Sequence, residues 1–489
     1  MMIRTRYAPS PTGFQHLGSF RTVLFDYLVA KQAEGQFILR IEDTDRARYV
    51  PGSVEELLKG LEWLGLTPDE GPYLDEQGHI KERGSYGPYT QSERLPLYHE
   101  HLKTLLNNGQ AYRCFCTVAR LDELRAGQQA AHQAPRYDGH CRTIDPKESS
   151  DRAHTEPFVV RHAIPRGQEV VLHDLIRGDI SFQSDDLDDY VLLKSDGFPT
   201  YQLANVVDDH LMEISHVLRG EEWIPSAPKN LLLYAAFGWN PPAFAHLPLI
   251  LGEDKAKLSK RHGAEPILAY KEQGYLPEAL LNVLAFLGWS PGTEDEFLSL
   301  EALLATFRLE KVQKAPAVFS VDRLLYVNGH YLRALSGTEL ARQVQPYLIS
   351  SGFTLSDQEY VERSVATIHE RMKRLDEAPG LLRFAYFRPS IGEEFKKLII
   401  PKGFDYTQTV EVLGGAYTFL NEYPLEQWTV DALSLDLRAF AETLEIKSGQ
   451  LLWPLRVALT GEAASPGAFE VLELLGKEES LARLSAAIE

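Results

Sequence analysis

The pattern of apolar positions opens with a short strand, Ile3 to Ala8, stopped by Pro9 and Pro11. From Leu17 onward Phe20, Val23, Leu24, Tyr27 and Leu28 recur at helical spacing up to Gly35, and Phe37-Ile38-Leu39-Arg40-Ile41 reads as a second strand. Ser53-Val54-Glu55-Glu56 has the form of a capping box, followed by Leu57, Leu58, Leu61 and Leu64 along one helical face. Strand, helix, strand, helix predicts a parallel sheet with right-handed crossovers. Such sheets bind ligands at the carboxyl ends of their strands, here the Pro9–Gly18 turn. From about Ser92 to Leu193 helical stretches mix with short strands (Phe158-Val159-Val160 and Val170-Val171-Leu172), which suggests an inserted domain. The earlier pattern resumes near Tyr201, with a strand at Ile214 to Leu218, and Leu247–Leu251 leads into a lysine-bearing loop. Beyond Pro277 helical periodicity dominates, with another capping box at Ser336-Gly337-Thr338-Glu339. The expected fold class is an α/β N-terminal half, a parallel sheet with an inserted α+β domain, followed by an all-α C-terminal half.

A length of 489 residues points to three or more domains. No apolar run is long enough to span a bilayer, and Met1-Met2-Ile3-Arg4 lacks the apolar core of a signal peptide. Three cysteines argue against a disulfide framework and for a reducing cytosol. The net charge of −19 argues against a general nucleic-acid binder, so any such surface must be a local basic patch that favours a specific partner.

Two distant segments carry the chemistry. Pro9-Ser10-Pro11-Thr12-Gly13-Phe14-Gln15-His16-Leu17-Gly18 is a turn feeding a helix N-terminus, where free amides and the helix dipole form an anion site. Gly18 lets a nucleotide approach the backbone, and His16 can donate to a phosphate oxygen. Lys257-Leu258-Ser259-Lys260-Arg261 lies in a loop flanked by Gly252 and Gly263, and its ammonium groups suit a charge that follows a pentacovalent phosphate. Together they suggest attack of a carboxylate on the α-phosphate of ATP. Glu42, directly after the second strand, can hold a substrate ammonium, whereas Asp43 and Asp45 fit a helix-capping turn. Arg6 and Arg219 are unusual cations for buried strands; they fit substrate carboxylates or internal salt bridges to Glu42 or Glu221. Cys114, Cys116 and Cys141 supply three thiolates for zinc, with Tyr137 or His140 as a fourth ligand; plain buried cysteines explain them equally well. Arg363, His369, Arg371, Lys373 and Arg374 form a basic cluster, in which Arg371 and Arg374 would share a helix face.

As a set these residues resemble the bacterial glutamyl-tRNA synthetases, class I aminoacyl-tRNA synthetases. His16-Leu17-Gly18-Ser19 is similar to the "HIGH" signature of that class and Lys257–Arg261 to its "KMSKS" signature. Arg6–Gly13, Arg40–Asp45 and Tyr201–Asp209 resemble glutamate-handling members, and the resemblance continues through Trp453–Gly461. It implies ATP with Mg2+, L-glutamate and tRNAGlu as partners, a cytoplasmic monomer, and glutamyl transfer through a glutamyl-adenylate, with bound tRNA needed for the first step. Carried onto this chain, His16, Gly18, Lys257, Ser259 and Lys260 would bind and stabilise the ATP phosphates. Arg6, Ala8, Ser10, Glu42, Tyr201, Asn205 and Arg219 would form the glutamate pocket. Arg371 falls where members that reject tRNAGln read the last anticodon base. Zinc-bearing members often carry Cys-x-His after the Cys-x-Cys; here Arg142 and Thr143 follow Cys141, and the related Tyr137-x-x-x-Cys141 arrangement stands instead.

The resemblance implies a Rossmann-like catalytic domain in two parts, 1–91 and 194–252, split by an acceptor-end-binding domain, 92–193. A lysine-loop and stem-contact domain, 253–335, and a helical anticodon-binding region, 336–489, divided near 390, complete it. A non-discriminating enzyme that also charges tRNAGln and a catalytically silent tRNA-binding paralogue are the competing readings.

Overall fold

A computed structural model describes residues 2–259, 265–355 and 357–489, so Lys260, Arg261 and Gly263 lie outside the described residues. The chain forms two compact units, residues 1–271 with 277–324, and residues 272–276 with 325–489.

In the first unit β1 (Arg4–Tyr7) and β2 (Gln36–Leu39) pair in parallel, Tyr7 opposite Leu39, as the apolar pattern predicts. The crossover is α1 (Leu17–Gln32), whose Leu17, Phe20, Leu24 and Leu28 are fully buried. Each such side chain contributes about 1.5–3 kcal/mol of burial, which fixes the helix on the sheet and so aims its N-terminus at the Pro9–Gly18 turn. Gly35 is required at the return: a Cβ there would collide with the Ile3 carbonyl, which accepts the Gln36 N–H at 2.9 Å.

The helix α2 (Ser53–Trp63) begins without the expected capping box. Gly52, left-handed at φ +81, occupies the cap position, and the Ser53 hydroxyl donates instead to the Val50 carbonyl at 2.7 Å. A side chain already inside the first turn cannot close on its third amide, and this is why the motif fails here.

β3 (Glu169–Asp174), β4 (Gly178–Gln183), β5 (His216–Gly220) and β6 (Ala243–Leu247) form one sheet in the order β5-β6-β3-β4. The first pairing is parallel, Arg219 opposite His246, and β3–β4 is an antiparallel hairpin. Ser215 donates its N–H to the Arg4 carbonyl at 2.9 Å, which places β5 beside β1. The hairpin 169–183 hydrogen-bonds onto β6, and β6 in turn pairs with β5, one of the strands that carry the site. A separate antiparallel sheet joins Ala111–Cys114, Val159–His162 and Val191–Leu193. α3 (Tyr201–Leu211) presents Tyr201, Asn205, Asp208 and Asp209 at helical spacing on one face.

The second unit is helical, with Gly337–Ser350, Tyr406–Glu422, Val430–Thr443, Ser448–Thr460 and Ala468–Ile488 among its longer elements. Leu413, Leu420, Leu437, Leu451, Leu455 and Leu472 are fully buried in its core. Here half of the expected capping box forms: Ser336 Oγ accepts the Glu339 N–H at 3.2 Å, while the Glu339 carboxylate turns to Arg342 and Gln343. The helix through Trp453 stops at Gly461, left-handed at φ +74, a conformation glycine adopts without steric cost. Arg371 and Arg374 do not share a helix face. The helix Gln358–Ala366 ends first, Arg371 closes a short 3-10 turn, and the chain is extended at Met372 and at Arg374. Arg374 pairs with Asp376 at 3.0 Å, whereas Arg371 is exposed. Among the described residues no helix is long and apolar enough to cross a membrane.

Candidate active site

The carboxyl ends of β1, β2 and β5 and the N-termini of α1 and α3 surround a cleft of about 500 Å³. Arg6, Ala8, Ser10, His16, Gly18, Glu42, Tyr201, Asn205, Arg219 and Lys257 all line it. Ser259 is described but is not among the lining residues, and Lys260 lies outside the described residues.

At one wall the His16 ring caps α1: its Nδ1 accepts the Gly18 N–H at 3.1 Å. An imidazole that accepts at Nδ1 carries its proton on Nε2, so the cap leaves Nε2–H as a donor to the cleft. Desolvation, and next the Lys257 ammonium, hold this imidazole below its ordinary pKa and favour the neutral tautomer. Lys257 is exposed on a tight turn closed by Gly252 N–H to the Ala256 carbonyl, 2.9 Å, and Leu258 N–H to the Ile250 carbonyl, 3.0 Å. This wall supplies positive charge and free donors, the requirements of an anionic triphosphate.

A buried charge network builds the opposite wall. Arg40, fully buried, donates to Asp209 at 2.7 Å and to Glu42 at 2.9 Å, and lies 3.7 Å from Asp208. Arg6 donates Nε–H to Asp209 at 3.1 Å. Glu42 Oε1 accepts from Arg40 and, at 3.2 Å, from Asn205, while Oε2 has no hydrogen-bond partner among the described residues. Burial pushes the Glu42 carboxyl above the usual range, against the pull of Arg40, Arg6 and Asn205. Such a carboxylate gains from an incoming cation. Neither arginine makes the internal salt bridge that sequence alone suggested: Arg6 takes Asp209, not Glu42, and Glu221 pairs with Arg177. Arg219 has no ion pair among the described residues; it donates to His246 Nε2 at 3.0 Å and to the Tyr201 hydroxyl at 3.2 Å.

Several lining residues escape sequence reasoning. Trp223 packs on Tyr201, ring centroids 4.8 Å apart, and its only signal was its place four residues past Arg219. Arg21 reaches the cleft from α1, and burial lowers its guanidinium to about 10 against the pull of Glu222 and Glu221. Asp43 and Asp45 turn away from the cleft's chemistry: Asp43 accepts the Ser92 N–H at 2.7 Å, and Asp45 accepts from Arg48 at 2.6 Å.

Elsewhere in the same unit the three cysteine sulfurs lie within 4.8 Å of one another. Cys116 and Cys141 are 3.6 Å apart, and the Tyr137 hydroxyl sits 3.3 Å from Cys114 and 3.5 Å from Cys116. Four ligands on a tetrahedral zinc, with Zn–S of about 2.3 Å, sit about 3.8 Å apart. The spacing of the three sulfurs fits that ion, and the Tyr137 hydroxyl stands beside them, whereas His140 is exposed. Burial raises the Cys116 thiol to about 11, a cost that a bound cation would relieve.

The geometry has direct counterparts among known proteins. The family model described as tRNA synthetases class I (E and Q), catalytic domain, matches residues 2–326, and an anticodon binding domain model matches 339–488. The glutamate–tRNA ligase of Dehalococcoides mccartyi is 45% identical over 99% of this chain and 97% of its own length. That of Thermus thermophilus is 42% identical with both chains fully covered, 100% and 100%. The crystal structure of a glutamate tRNA ligase from Elizabethkingia meningosepticum, in complex with its amino acid, superposes with a TM-score of 0.90 at 36% identity, covering 100% of this chain and 99% of that one. A class I catalytic unit with a charged cleft at its strand ends, a helical anticodon-binding unit and end-to-end similarity together place this chain in the glutamate–tRNA ligase family of class I aminoacyl-tRNA synthetases.

Proposed function

We propose that this chain ligates L-glutamate to tRNAGlu through glutamyl-adenylate. The observation that carries the reading is one cleft that joins a phosphate-binding helix end, with His16, Gly18 and Lys257, to a wall holding Glu42, Arg6 and Arg219. Glu42 Oε2 receives the substrate ammonium, and the two arginines receive its carboxylates. With the amino acid held, an α-carboxylate oxygen bonds to the α-phosphorus of ATP as the bond to the β-phosphate oxygen breaks and pyrophosphate leaves. His16 Nε2–H and Lys257 oppose the negative charge that builds on the phosphoryl oxygens, and Lys260 is assigned the same task on sequence grounds. No covalent enzyme intermediate is formed, so the rate rests on positioning and charge. A hydroxyl of the terminal ribose of tRNA then attacks the activated carbonyl, and AMP leaves. ATP would bring Mg2+, which would offset part of the phosphate charge.

Zinc on Cys114, Cys116, Cys141 and Tyr137 would pin the segment 114–141, a structural role. Arg371, exposed in the helical unit, would read the last anticodon base and exclude tRNAGln. Domain limits follow the family arrangement, and the protein works as a cytoplasmic monomer. Pyrophosphate exchange into ATP tests the reading: it should require L-glutamate and depend on tRNAGlu, and exchange supported equally by glutamine would refute it.

A further inference from the structure

The buried neighbours of Arg219 form a chain that the catalytic reading leaves unused. Asp174, at the end of β3, accepts four hydrogen bonds. Its Oδ1 takes the N–H groups of Ile176 and Arg177 at 3.0 and 2.8 Å, and its Oδ2 takes the His246 N–H and Nδ1 at 3.0 and 2.6 Å. Surrounded by donors, the carboxylate has no proton to give, so the proton of that last bond belongs to His246 Nδ1. The Nε2 of His246 is then a lone pair, and it accepts Nε–H of Arg219 at 3.0 Å. Both His246 ring nitrogens are thus spoken for, and the ring is fully buried.

This tautomer determines what Arg219 can do. Its Nε faces His246 and its Nη1 faces the Tyr201 hydroxyl, whereas Nη2 is buried with no hydrogen-bond partner among the described residues. Arg6 and Arg40 already face Asp209, but no carboxylate lies within ion-pair distance of Arg219 among the described residues. A buried guanidinium with neutral partners and one unpartnered nitrogen is held ready for an anion. We propose that the Asp174–His246 pair is a positioning device that orients Arg219 toward a substrate carboxylate and thereby sets the affinity for glutamate. This inference rests on the pocket assignment above. His246 touches no reacting atom; it acts through Arg219.

The test uses the full chain in tRNA-dependent pyrophosphate exchange. His246→Met replaces the imidazole acceptor with a weakly accepting thioether of similar length and should raise KM for glutamate about tenfold or more, the worth of one charge-assisted hydrogen bond, with KM for ATP unchanged. His246→Gln keeps an oxygen that can reach Arg219 and should stay within about threefold of the parent. A parental glutamate KM in His246→Met, or an equal rise in KM for ATP, overturns the proposal. Should His246→Met fail to fold, His246→Asn replaces it: its amide can satisfy Asp174 but is too short for Arg219, so equal glutamate KM values for Asn and Gln overturn the proposal. Arg219→Ala separates the two levels. If it leaves glutamate KM unchanged, the pocket assignment fails; if it is impaired while His246→Met is normal, only the positioning role fails.

Discussion

Glu42→Gln tests the ammonium site with opposite signs for stability and function. Glu42 Oε1 already accepts from Arg40 and Asn205, so the substituted amide keeps its oxygen there and turns its NH2 to the place of Oε2. A donor then faces the substrate ammonium. Losing a desolvated charge-assisted contact costs about 2–3 kcal/mol, which is about 30- to 150-fold in kcat/KM for glutamate at 1.4 kcal/mol per decade. Stability should move the other way or not at all. Folding raises the Glu42 pKa through burial, so its contribution is favourable only below the unfolded carboxyl pKa and is lost as pH rises through the folded one. The ionised form is therefore less favourable to folding than the protonated one. Arg40 retains Asp209 and lies near Asp208 after the change. The assay is pyrophosphate exchange over a range of glutamate, with thermal melting at pH 7.5. A fall in melting temperature with parental glutamate KM would refute the reasoning, since Glu42 would then serve the fold and not the substrate.

Three further outcomes are expected. His16→Ala should lose both the α1 cap, about 0.5–2 kcal/mol, and a transition-state donor, about 10²-fold in exchange rate; His16→Asn should recover the melting temperature but not the rate. Arg371→Ala, at an exposed position, should leave melting unchanged and lower discrimination against tRNAGln by about 1–3 kcal/mol, read as the ratio of charging rates on the two tRNAs. Purified protein should carry about one zinc by elemental analysis, and Cys141→Ser should lose it together with several degrees of melting temperature; a metal-free parent with unchanged melting after chelation would refute the site.

Local physics made the first βαβ unit legible. Pro9 and Pro11 had to end a strand, Leu17 to Leu28 had to face a core, and the phosphate-type turn lay where a parallel sheet puts its ligands. The capping box at Ser53 failed because Gly52 adopts a left-handed conformation that no residue pattern at 53–56 reveals. The basic cluster near Arg371 was read as helix because charge spacing is blind to the extended residue at Met372. The partners of Arg6 and Arg40 were hidden for a different reason. Asp209 lies 203 and 169 residues away along the chain, and only the docking of α3 beside β1 and β2 brings it in. His246 and Asp174 gave no signal in the sequence, since a lone histidine in a strand is more often a core residue than part of a site.

The central claim is tested most directly by charging purified tRNAGlu and tRNAGln with labelled glutamate and ATP. The account predicts glutamate on tRNAGlu alone, with one AMP released per glutamate attached. Labelled glutamate on neither tRNA, with tRNAGlu still bound, would contradict it and leave a chain that holds tRNA without charging it.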